Sequence, residues 1–469
     1  MRYTTVIGLE IHAELTTNTK VFCSCTNSFA EEKNTCCCPS CTALPGALPV
    51  LNKGAVEMII AAGLELGCEI AEVAKWDRKN YFYPDLPKAY QISQLYAPVC
   101  IGGGLKIDDK FIRLNHIHLE EDAGKLLHLD FETQMDYNRA GVPLIEIVSE
   151  PDMRSSDEAI AFVKNIRRTL VYAGVCDGKM EQGSLRVDAN ISIMPEGSNV
   201  FGTRAEIKNI NSFRFMKAAI EFEIERQKEI LESGGQVIQE TRRYDAAKNQ
   251  TFSMRSKENA HDYRYFPDPD IPAIVIPREE VERIRATLAE SPEKRFERYT
   301  GEFGLSIDDA EVILDNKLIS DYYDAVVKMG ADARAVANSI KGELMRLYNL
   351  AGKRTEILIQ PIDFARGVQL ALDGKISQAG LKTAIGRMFE ENVDLETVIR
   401  EEKLIIEEDL ELLEVTIDRV IAENPAQVEQ YHNGKTNILG YLVGQCAKIM
   451  QGKAHPKTIN EAMRRRLDA

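Results

Sequence analysis

The sequence predicts an α+β fold, in which a mixed α/β domain with an antiparallel-rich sheet is followed by an all-α region. Up to about residue 290, short runs of alternating apolar and polar residues are separated by glycine and proline, as in strands. From Ser291-Pro292 onward, helical periodicity replaces this alternation. A chain of 469 residues is too long for one ordinary core. We therefore predict three domains, at 1–290, 291–404 and 405–469.

The predicted helices have clear start and stop signals. One begins at the capping box formed by Ser155 and Glu158 and ends at Gly174. A second covers about 215–232 and ends before a pair of glycines. In the C-terminal region, the apolar spacing predicts helices at 308–328, 331–350, 361–372 and 377–391.

The charge is distributed unevenly along the chain. Lysine and arginine number 58 against 73 acidic residues, a net charge of −15, which argues against a protein coated with nucleic-acid-binding charge. Residues 390–423 are strongly acidic, and we interpret them as a solvated helical face. Residues 434–469 are basic and present either a solvated face or a phosphate-binding surface. The lysines of this tail are Lys435, Lys448, Lys453 and Lys457.

Six of the ten cysteines lie between residues 23 and 41. Cys23 and Cys25 form a CxC pair, and Cys38 and Cys41 form a CxxC pair, so four thiolates are available at spacings that suit tetrahedral zinc. No secretory signal is present, which disfavours disulfides, and the sequence after Cys41 is a poor helix start for a redox motif. We predict a structural Zn²⁺ site formed by these four cysteines. Cys36 or Cys37 could replace one of them as a ligand.

Two acidic segments indicate a cation site. In the strand-like run Val6–Leu15, Glu10, His12 and Glu14 share one face. The second segment, Glu120-Glu121-Asp122, crowds three carboxylates that repel each other unless a cation lies among them. Oxygen ligands favour Mg²⁺ or Mn²⁺, and the histidine shifts the preference toward Mn²⁺ or Zn²⁺. The alternative for both segments is an ordinary polar surface.

Two further strand-like runs, 185–193 and 204–211, place acids and bases side by side. Arg186, Asp188 and Asn190 share a face of the first run, and Glu206 and Lys208 share a face of the second. Phosphoryl transfer needs this combination, because acids hold a metal and bases neutralise phosphate.

The segment 79–91 is rich in aromatic residues and contains two prolines, which prevent a helix. We predict a stiff, exposed loop that contacts a nucleotide or a nucleic-acid end. A subunit interface explains the same composition equally well.

Several common signatures are absent. The sequence has no GxxxxGK[ST] loop, no amidase signature and no obvious serine or cysteine hydrolase pattern. It also has no apolar run long enough to span a bilayer and no signal or transit peptide. We therefore expect a cytoplasmic protein without a membrane partner.

Long, ordered motifs over nearly the whole chain resemble the B-subunit family of aspartyl/glutamyl-tRNA amidotransferases, the GatB/GatE family. The motifs are Gly8–His12, Pro45–Asn52, 79–94, Glu120–Lys125, 138–152, 183–192, 206–213, 253–257 and 261–267. The tail, with Gly434-Lys435 and Leu439–Gln445, resembles the tRNA-binding tail of this family and the YqeY proteins.

The resemblance implies an ATP- and Mg²⁺-dependent phosphorylation of the side-chain carboxylate of Glu-tRNA(Gln) or Asp-tRNA(Asn). Ammonia then displaces the phosphate and forms the amide. The ammonia comes from glutamine, which a partner amidase subunit (GatA) hydrolyses, and a small subunit (GatC) ties the two together. The 1–290 region would then be a catalytic cradle domain. Whether Glu-tRNA(Gln), Asp-tRNA(Asn) or both are used stays open.

The resemblance also implies residue roles. Glu10, His12 and Glu121 would bind Mg²⁺, although the choice among Glu120, Glu121 and Asp122 stays open. Asp188, Asn190, Glu206 and Lys208 would line the ATP region. Lys79, Asp85 and the catalytic Lys88 would lie near the tRNA 3′ end, or near the mouth of the tunnel through which the ammonia travels from the amidase subunit. A non-catalytic tRNA-binding scaffold and a ligase that uses free ammonia are the alternatives.

Overall fold

The structure is a computed structural model that describes residues 2–28, 32–256, 263–352, 356–406, 410–450 and 454–468. The chain divides into two compact units, Met1–Pro292 and Glu293–Ala469. The first unit mixes helices and strands, and the described part of the second is helical. This arrangement confirms the predicted α+β class. Lys453, Lys257, His261 and Asp262, which belong to the predicted sites and motifs, lie outside the described residues.

Within the described residues, all strands and four α-helices belong to the first unit. The strands are β1 Tyr3–Glu14, β2 Glu69–Ile70, β3 Val73–Ala74, β4 Asp77–Asn80, β5 Tyr90–Ser93, β6 Cys100–Ile101, β7 Gly104–Ile107, β8 Lys110–Glu121, β9 Lys125–His128, β10 Thr133–Asp136, β11 Pro143–Ser149, β12 Leu185–Pro195, β13 Ala205–Ile210, β14 Glu240–Asp245, β15 Gln250–Ser256, β16 Phe266–Pro267 and β17 Ile274–Val275. The helices are α1 Lys53–Glu65, α2 Ser156–Tyr172, α3 Phe213–Glu232 and α4 Arg278–Thr287.

One large sheet organises this unit. Its strand order is β15-β14-β13-β12-β1-β11-β8-β6-β2, with β7 also paired to β8. Within the described sheet, β13 and β14 run parallel and the other neighbours are antiparallel. The twelve-residue β1 lies in the middle, between β11 and β12, so its side chains can meet groups from both sides.

The two faces of β1 have opposite character. Ile7, Leu9 and Ile11 are fully or almost fully buried in the core that also contains apolar residues of α1, α2 and α3. Burial of each such side chain contributes about 1.5–3 kcal/mol. Because side chains alternate along a strand, Glu10 and His12 point to the other face. The helices thus cover the apolar face, and the polar face is left for a site.

The predicted helices of the first unit form close to their expected limits. Ser155 accepts a hydrogen bond from the Glu158 amide at the start of α2, as the capping box predicts. Gly174, just beyond the end of α2, has a φ of +71°, a left-handed conformation that suits glycine.

The second unit is built from short helices. They are α5 Pro292–Gly301, α6 Ile307–Leu314, α7 Lys317–Lys328, α8 Ala333–Ser339, a π-helical turn Ile340–Leu344, α9 Met345–Leu350, α10 Pro361–Leu372, α11 Gln378–Glu391, α12 Leu395–Glu402, α13 Leu410–Glu423, α14 Pro425–His432, α15 Ile438–Met450 and α16 Pro456–Leu467. The helix predicted at 308–328 is two helices, because the Asn316 side chain caps a new one by accepting from the Leu318 and Ile319 amides.

The last four helices contain a core of their own, to which α13, α15 and α16 contribute buried residues such as Ile417, Leu442 and Ile459. The boundary between residues 404 and 405 stays a prediction. Within the described residues, every helix is too short or too polar to cross a membrane.

Candidate active site and metal centres

The polar face of the sheet gathers a first group of possible ligands, His12, Glu120 and Glu146, which we call the histidine group. The register sets His12 of β1 directly opposite Glu146 of β11. His12 Nε2 lies 3.3 Å from Glu146 Oε2 and 3.8 Å from Glu120 Oε1. The possible ligand atoms of the three residues lie within 4.8 Å of one another.

The electrostatics of the histidine group favour positive charge. Burial lowers the pKa of His12, but the charge and hydrogen bond of Glu146 and the charge of Glu120 outweigh it and raise this pKa to about 9. Burial raises the pKa of Glu146, but the charges of His12 and His118 hold it well below its usual range. The two carboxylates therefore attract a cation, which the imidazolium supplies when no metal is bound.

A second group, Glu10, Asp188 and Glu206, lies next to the first; we call it the carboxylate group. Its possible ligand atoms also lie within 4.8 Å of one another. The register places Glu10 opposite Asp188, and Asn190 opposite Glu206, on β1, β12 and β13. Asn190 Nδ2 donates to Glu10 Oε1 at 2.9 Å, which orients that carboxylate.

One lysine partly balances the carboxylate group. Lys208 Nζ lies 2.6 Å from Asp188 Oδ2 and 3.1 Å from Glu206 Oε1. Burial raises the pKa of Glu10, and the charges of Glu146 and Glu206 raise it further. Crowding of this kind is relieved by a divalent cation, so the donor set fits Mg²⁺ or Mn²⁺.

The structure separates residues that the sequence prediction combined in one cation site. Glu10 and His12 fall in the two neighbouring groups, and Glu120 rather than Glu121 accompanies His12. The physical reason is the alternation of side chains along β8. Glu121 instead accepts from the Ile92 amide at 2.9 Å, and its Oε2 lies 2.5 Å from Lys88 Nζ.

The predicted loop 79–91 begins later than expected, because Lys79 belongs to a strand, while Asp85 does lie in the loop. Lys79 lies in β4 and not in an exposed loop. Burial lowers its pKa, but the electrostatic interactions with Tyr265, Glu120 and Glu146 outweigh burial and raise it, so the lysine is a cation near the histidine group. Asp85 lies in the loop that follows β4; burial and the charge of Asp122 raise its pKa, and the charge of Arg139 lowers it. Its predicted place near the tRNA 3′ end stays a prediction.

A cavity of about 430 Å³ opens beside the carboxylate group. Its wall combines apolar residues with Glu10, Asn190 and the exposed Arg204. Gly8 also lines the cavity, so the absence of a side chain there leaves space. A partly apolar cavity next to crowded carboxylates suits a nucleotide base and its phosphates. The apolar lining residues are Val6, Leu9, Val148, Pro151 and Phe201.

The four cysteines at the predicted zinc spacing lie together. The Sγ atoms of Cys23, Cys25, Cys38 and Cys41 are all within 4.8 Å of one another, and Cys36 and Cys37 are outside this set. The hydrogen bond from Cys23 lowers the pKa of Cys41 most, and despite burial this pKa falls to about 4. The set fits a tetrahedral thiolate site, because thiolates are the ligand form of cysteine.

In the tail, Lys435, Lys448 and Lys457 are exposed. The arginines at the end of α16 are engaged instead with acids of α13. Arg465 lies 2.6 Å from Glu414, and Arg466 lies 2.5 Å from Asp418. Part of the acidic segment therefore neutralises part of the basic tail.

Sequence reasoning did not single out Glu146, although the residue joins His12 in the histidine group. One signal was available, since Glu146 is the only charged residue in the apolar strand Pro143–Ser149. A charge in the middle of a buried strand is costly unless a partner compensates it.

Crowded carboxylates and lysines on one face of a mixed sheet are the features of a phosphoryl-transfer enzyme. Two protein-family models match this chain. Residues 5–282 match the model of the GatB/GatE catalytic domain, and residues 321–467 match a model described as a GatB domain.

Relatives that match over their whole length are named as the B subunit of aspartyl/glutamyl-tRNA(Asn/Gln) amidotransferase. The chain is 51% identical to the one from Syntrophotalea carbinolica, over 99% of both chains. It is 49% identical to the one from Caldicellulosiruptor saccharolyticus, over 100% of both, and 47% identical to the one from Geobacter sulfurreducens, over 100% of both. The chain belongs to the GatB/GatE family of amidotransferase B subunits.

Proposed function

We propose that this chain is the B subunit of a tRNA-dependent amidotransferase and converts the carboxylate of Glu-tRNA(Gln), Asp-tRNA(Asn) or both to an amide. The observation that carries the site assignment is the pairing of the carboxylate group with Lys208 beside the cavity lined by Gly8. Family membership supports the overall reaction and its dependence on ATP. A cytoplasmic location follows from charged tRNA as the substrate.

The first step is transfer of phosphate. An oxygen of the substrate carboxylate attacks the γ-phosphorus of ATP, the bond to the β,γ-bridging oxygen breaks, and ADP leaves. Lys208 and Lys79 neutralise negative charge on the transferred group, while Glu10, Asp188 and Glu206 are proposed to hold Mg²⁺ near the phosphates. Bound Mg²⁺ supplies a template and charge neutralisation for the phosphate oxygens.

The second step is amide formation. Ammonia attacks the acyl carbon, the bond between carbon and phosphate oxygen breaks, and phosphate leaves with a proton from the nitrogen. The activation is necessary because a free carboxylate oxygen is a poor leaving group. Lys88 and Glu121 lie apart from the carboxylate group, beside a cavity of about 220 Å³ that also reaches Cys23 and Cys41. We propose that Lys88 acts on the ammonia side of the site.

The remaining assignments concern metal and partners. Cys23, Cys25, Cys38 and Cys41 are proposed to bind a structural Zn²⁺, which joins two segments separated along the chain. An amidase subunit and a small third subunit are proposed partners, because this sequence has no amidase signature and its relatives are named as subunits. The exposed lysines of the tail are proposed to contact tRNA phosphates.

The test uses the complex reconstituted with its partner subunits. ADP release is measured with misacylated tRNA, with correctly charged Gln-tRNA and without tRNA. We expect ATP cleavage with misacylated tRNA alone. Cleavage at the same rate without tRNA would contradict the proposal, as would tight tRNA binding with no cleavage, which fits a scaffold. Amide formation from ammonium salt but not from glutamine would instead support a ligase that uses free ammonia.

A further inference from the structure

We propose that Arg243 of β14 binds the phosphates of the nucleotide, together with Lys208, at the edge of the carboxylate group. This inference deepens the proposed function and rests on it, because it concerns the same nucleotide. Sequence reasoning did not single out Arg243, because its place depends on which strand pairs with β13.

The first argument is the place of Arg243 in the sheet. Strands β13 and β14 run parallel, and Lys208 and Arg243 are Cα partners across them. Partner residues of neighbouring strands present their side chains on the same face, about 4.8 Å apart between the strand axes. Lys208 Nζ lies 2.6 Å from Asp188 Oδ2. Arg243 therefore lies one strand beyond the carboxylate group and on its face.

Thr241 shows independently that this face of β14 is the ligand face. Its Oγ1 donates to Glu206 Oε2 at 2.9 Å. Because side chains alternate along a strand, Arg243, two residues later, points to the same side. The chain thus passes Gln239 in the wall of the cavity, then Thr241 beside Glu206, then Arg243. A nucleotide with its base in the cavity would extend its phosphates past Glu206 toward Arg243.

The two adjacent arginines of β14 have contrasting environments. Arg242 points to the face that the helices cover and is 8% exposed. Its Nε lies 3.3 Å from Glu223 Oε2, and its Nη1 lies 2.5 Å from Glu240 Oε1. Arg243 is exposed instead, and its guanidinium forms no ion pair or hydrogen bond with any described residue. Arg242 therefore stabilises the fold, whereas Arg243 is available to a ligand.

The charge balance of the site favours a phosphate as that ligand. Lys208 is already engaged with Asp188 at 2.6 Å and with Glu206 at 3.1 Å. With Mg²⁺ bound as proposed, the three carboxylates and this lysine would carry no net charge. A triphosphate brings several negative charges, which need cations that are not already balanced. The planar guanidinium supplies one and can donate to two phosphate oxygens at once.

The experiment measures the affinity of the reconstituted complex for ATP with Mg²⁺ by calorimetry, in the absence of tRNA. We expect Arg243→Ala to raise the Kd about 10-fold or more. Arg243→Lys should have an intermediate Kd, because lysine keeps the charge but lacks the planar pair of donors. The matched control is Arg214→Ala, which changes an exposed arginine in the first turn of α3, on the helix side of the sheet. It should bind ATP like the wild type.

A second measurement, filter binding of misacylated tRNA, tests the other source of phosphate. Arg243→Ala should bind tRNA like the wild type. Weaker tRNA binding with unchanged ATP affinity would assign the arginine to a tRNA phosphate and overturn the inference. Unchanged affinity for both ligands would overturn it as well. Thermal melting without ligand reports folding, and if Arg243→Ala does not fold, a Kd for ATP in Arg243→Lys equal to that of the wild type would overturn the inference.

The outcomes separate the inference from the proposed function. A wild-type complex that neither binds nor cleaves ATP would contradict the proposed function. A wild-type complex that cleaves ATP only with misacylated tRNA, together with unchanged ATP affinity in Arg243→Ala, would overturn the role of Arg243 alone.

Discussion

The imidazole of His12 lies directly opposite Glu146 on the neighbouring strand, with Nε2 3.3 Å from Oε2. Two residues earlier on the same strand, Glu10 lies opposite Asp188 on the other side. The central strand β1 thus contributes one residue to each ligand group. Because both residues belong to one rigid strand, the two groups keep a fixed spacing, and changes on β1 should affect both.

Gly8→Val should impair nucleotide binding without unfolding the protein. A β-carbon at Gly8 would lie 3.7 Å from the Pro151 Cα, which is ordinary contact, but the two methyl groups would enter the cavity beside Glu10. We expect the ATP affinity of the complex to fall about 10-fold or more, measured by calorimetry. Thr5→Val, near the start of β1, is the control, and equal affinities in the two variants would argue against this cavity.

Loss of one cysteine of the four should release zinc. Cys38→Ser removes a ligand of the closely spaced set, so bound zinc should fall from about one per chain, and thermal stability should fall with it. The matched control is Cys37→Ser, the neighbouring cysteine outside the set. Zinc content is measured on protein prepared under reducing conditions without chelator. Zinc-free wild-type protein, or equal zinc in both variants, would rule out the site.

Glu14 should make stability fall as pH rises. Burial and then the charge of Asp122 raise its pKa from 4.5 to about 8. Between these values the folded protein retains a proton that the unfolded chain has lost, so stability decreases by about 1.4 kcal/mol per pH unit at most. Glu14→Gln removes this dependence on pH. Its free energy of unfolding should therefore rise relative to that of the wild type between pH 5 and pH 8.

The measurement for Glu14 is the free energy of unfolding in urea at pH 5 and pH 8, with metals removed. Glu69→Gln, an exposed glutamate on the edge strand β2, should show no such change relative to the wild type. If the difference between Glu14→Gln and the wild type stays constant with pH, Glu14 is not protonated in the folded protein.

The tail lysines and arginines should contribute unequally to tRNA binding. Lys448 and Lys457 are exposed, whereas Arg466 is paired with Asp418. Lys457→Ala should weaken tRNA binding and reduce the slope of log affinity against log salt by about 1. Arg466→Ala should change the slope less, because its charge is already balanced. The measurement is filter binding between 50 and 200 mM salt. A larger change of slope in Arg466→Ala than in Lys457→Ala would contradict this prediction.

Patterns within single segments predicted much of the site. The rest depends on which strands pair in the sheet, which no single segment shows. The alternation in Val6–Leu15 predicted that Glu10 and His12 share a face, which the sheet confirms. The sequence could not indicate which strand lies beside β1, so Glu146 was missed. Lys79 was assigned to a loop because its four-residue strand is too short for a clear pattern.

The sequence also did not indicate which distant helices contact each other. The acidic segment and the basic tail were interpreted separately, whereas Glu414 of α13 pairs with Arg465 of α16. The capping box at Ser155, by contrast, was predicted because all its contacts lie within four residues. What the sequence predicts well is local, and what it misses depends on which elements pack together.

The central claim is that Glu10 and its neighbours hold the cation that serves phosphate transfer. The most direct measurement is ADP release by the reconstituted complex with misacylated tRNA, for Glu10→Gln and for Glu69→Gln as the matched control. We predict a loss of about 100-fold or more in Glu10→Gln, with the control at the wild-type rate. A Glu10→Gln complex that cleaves ATP at the wild-type rate would contradict the account.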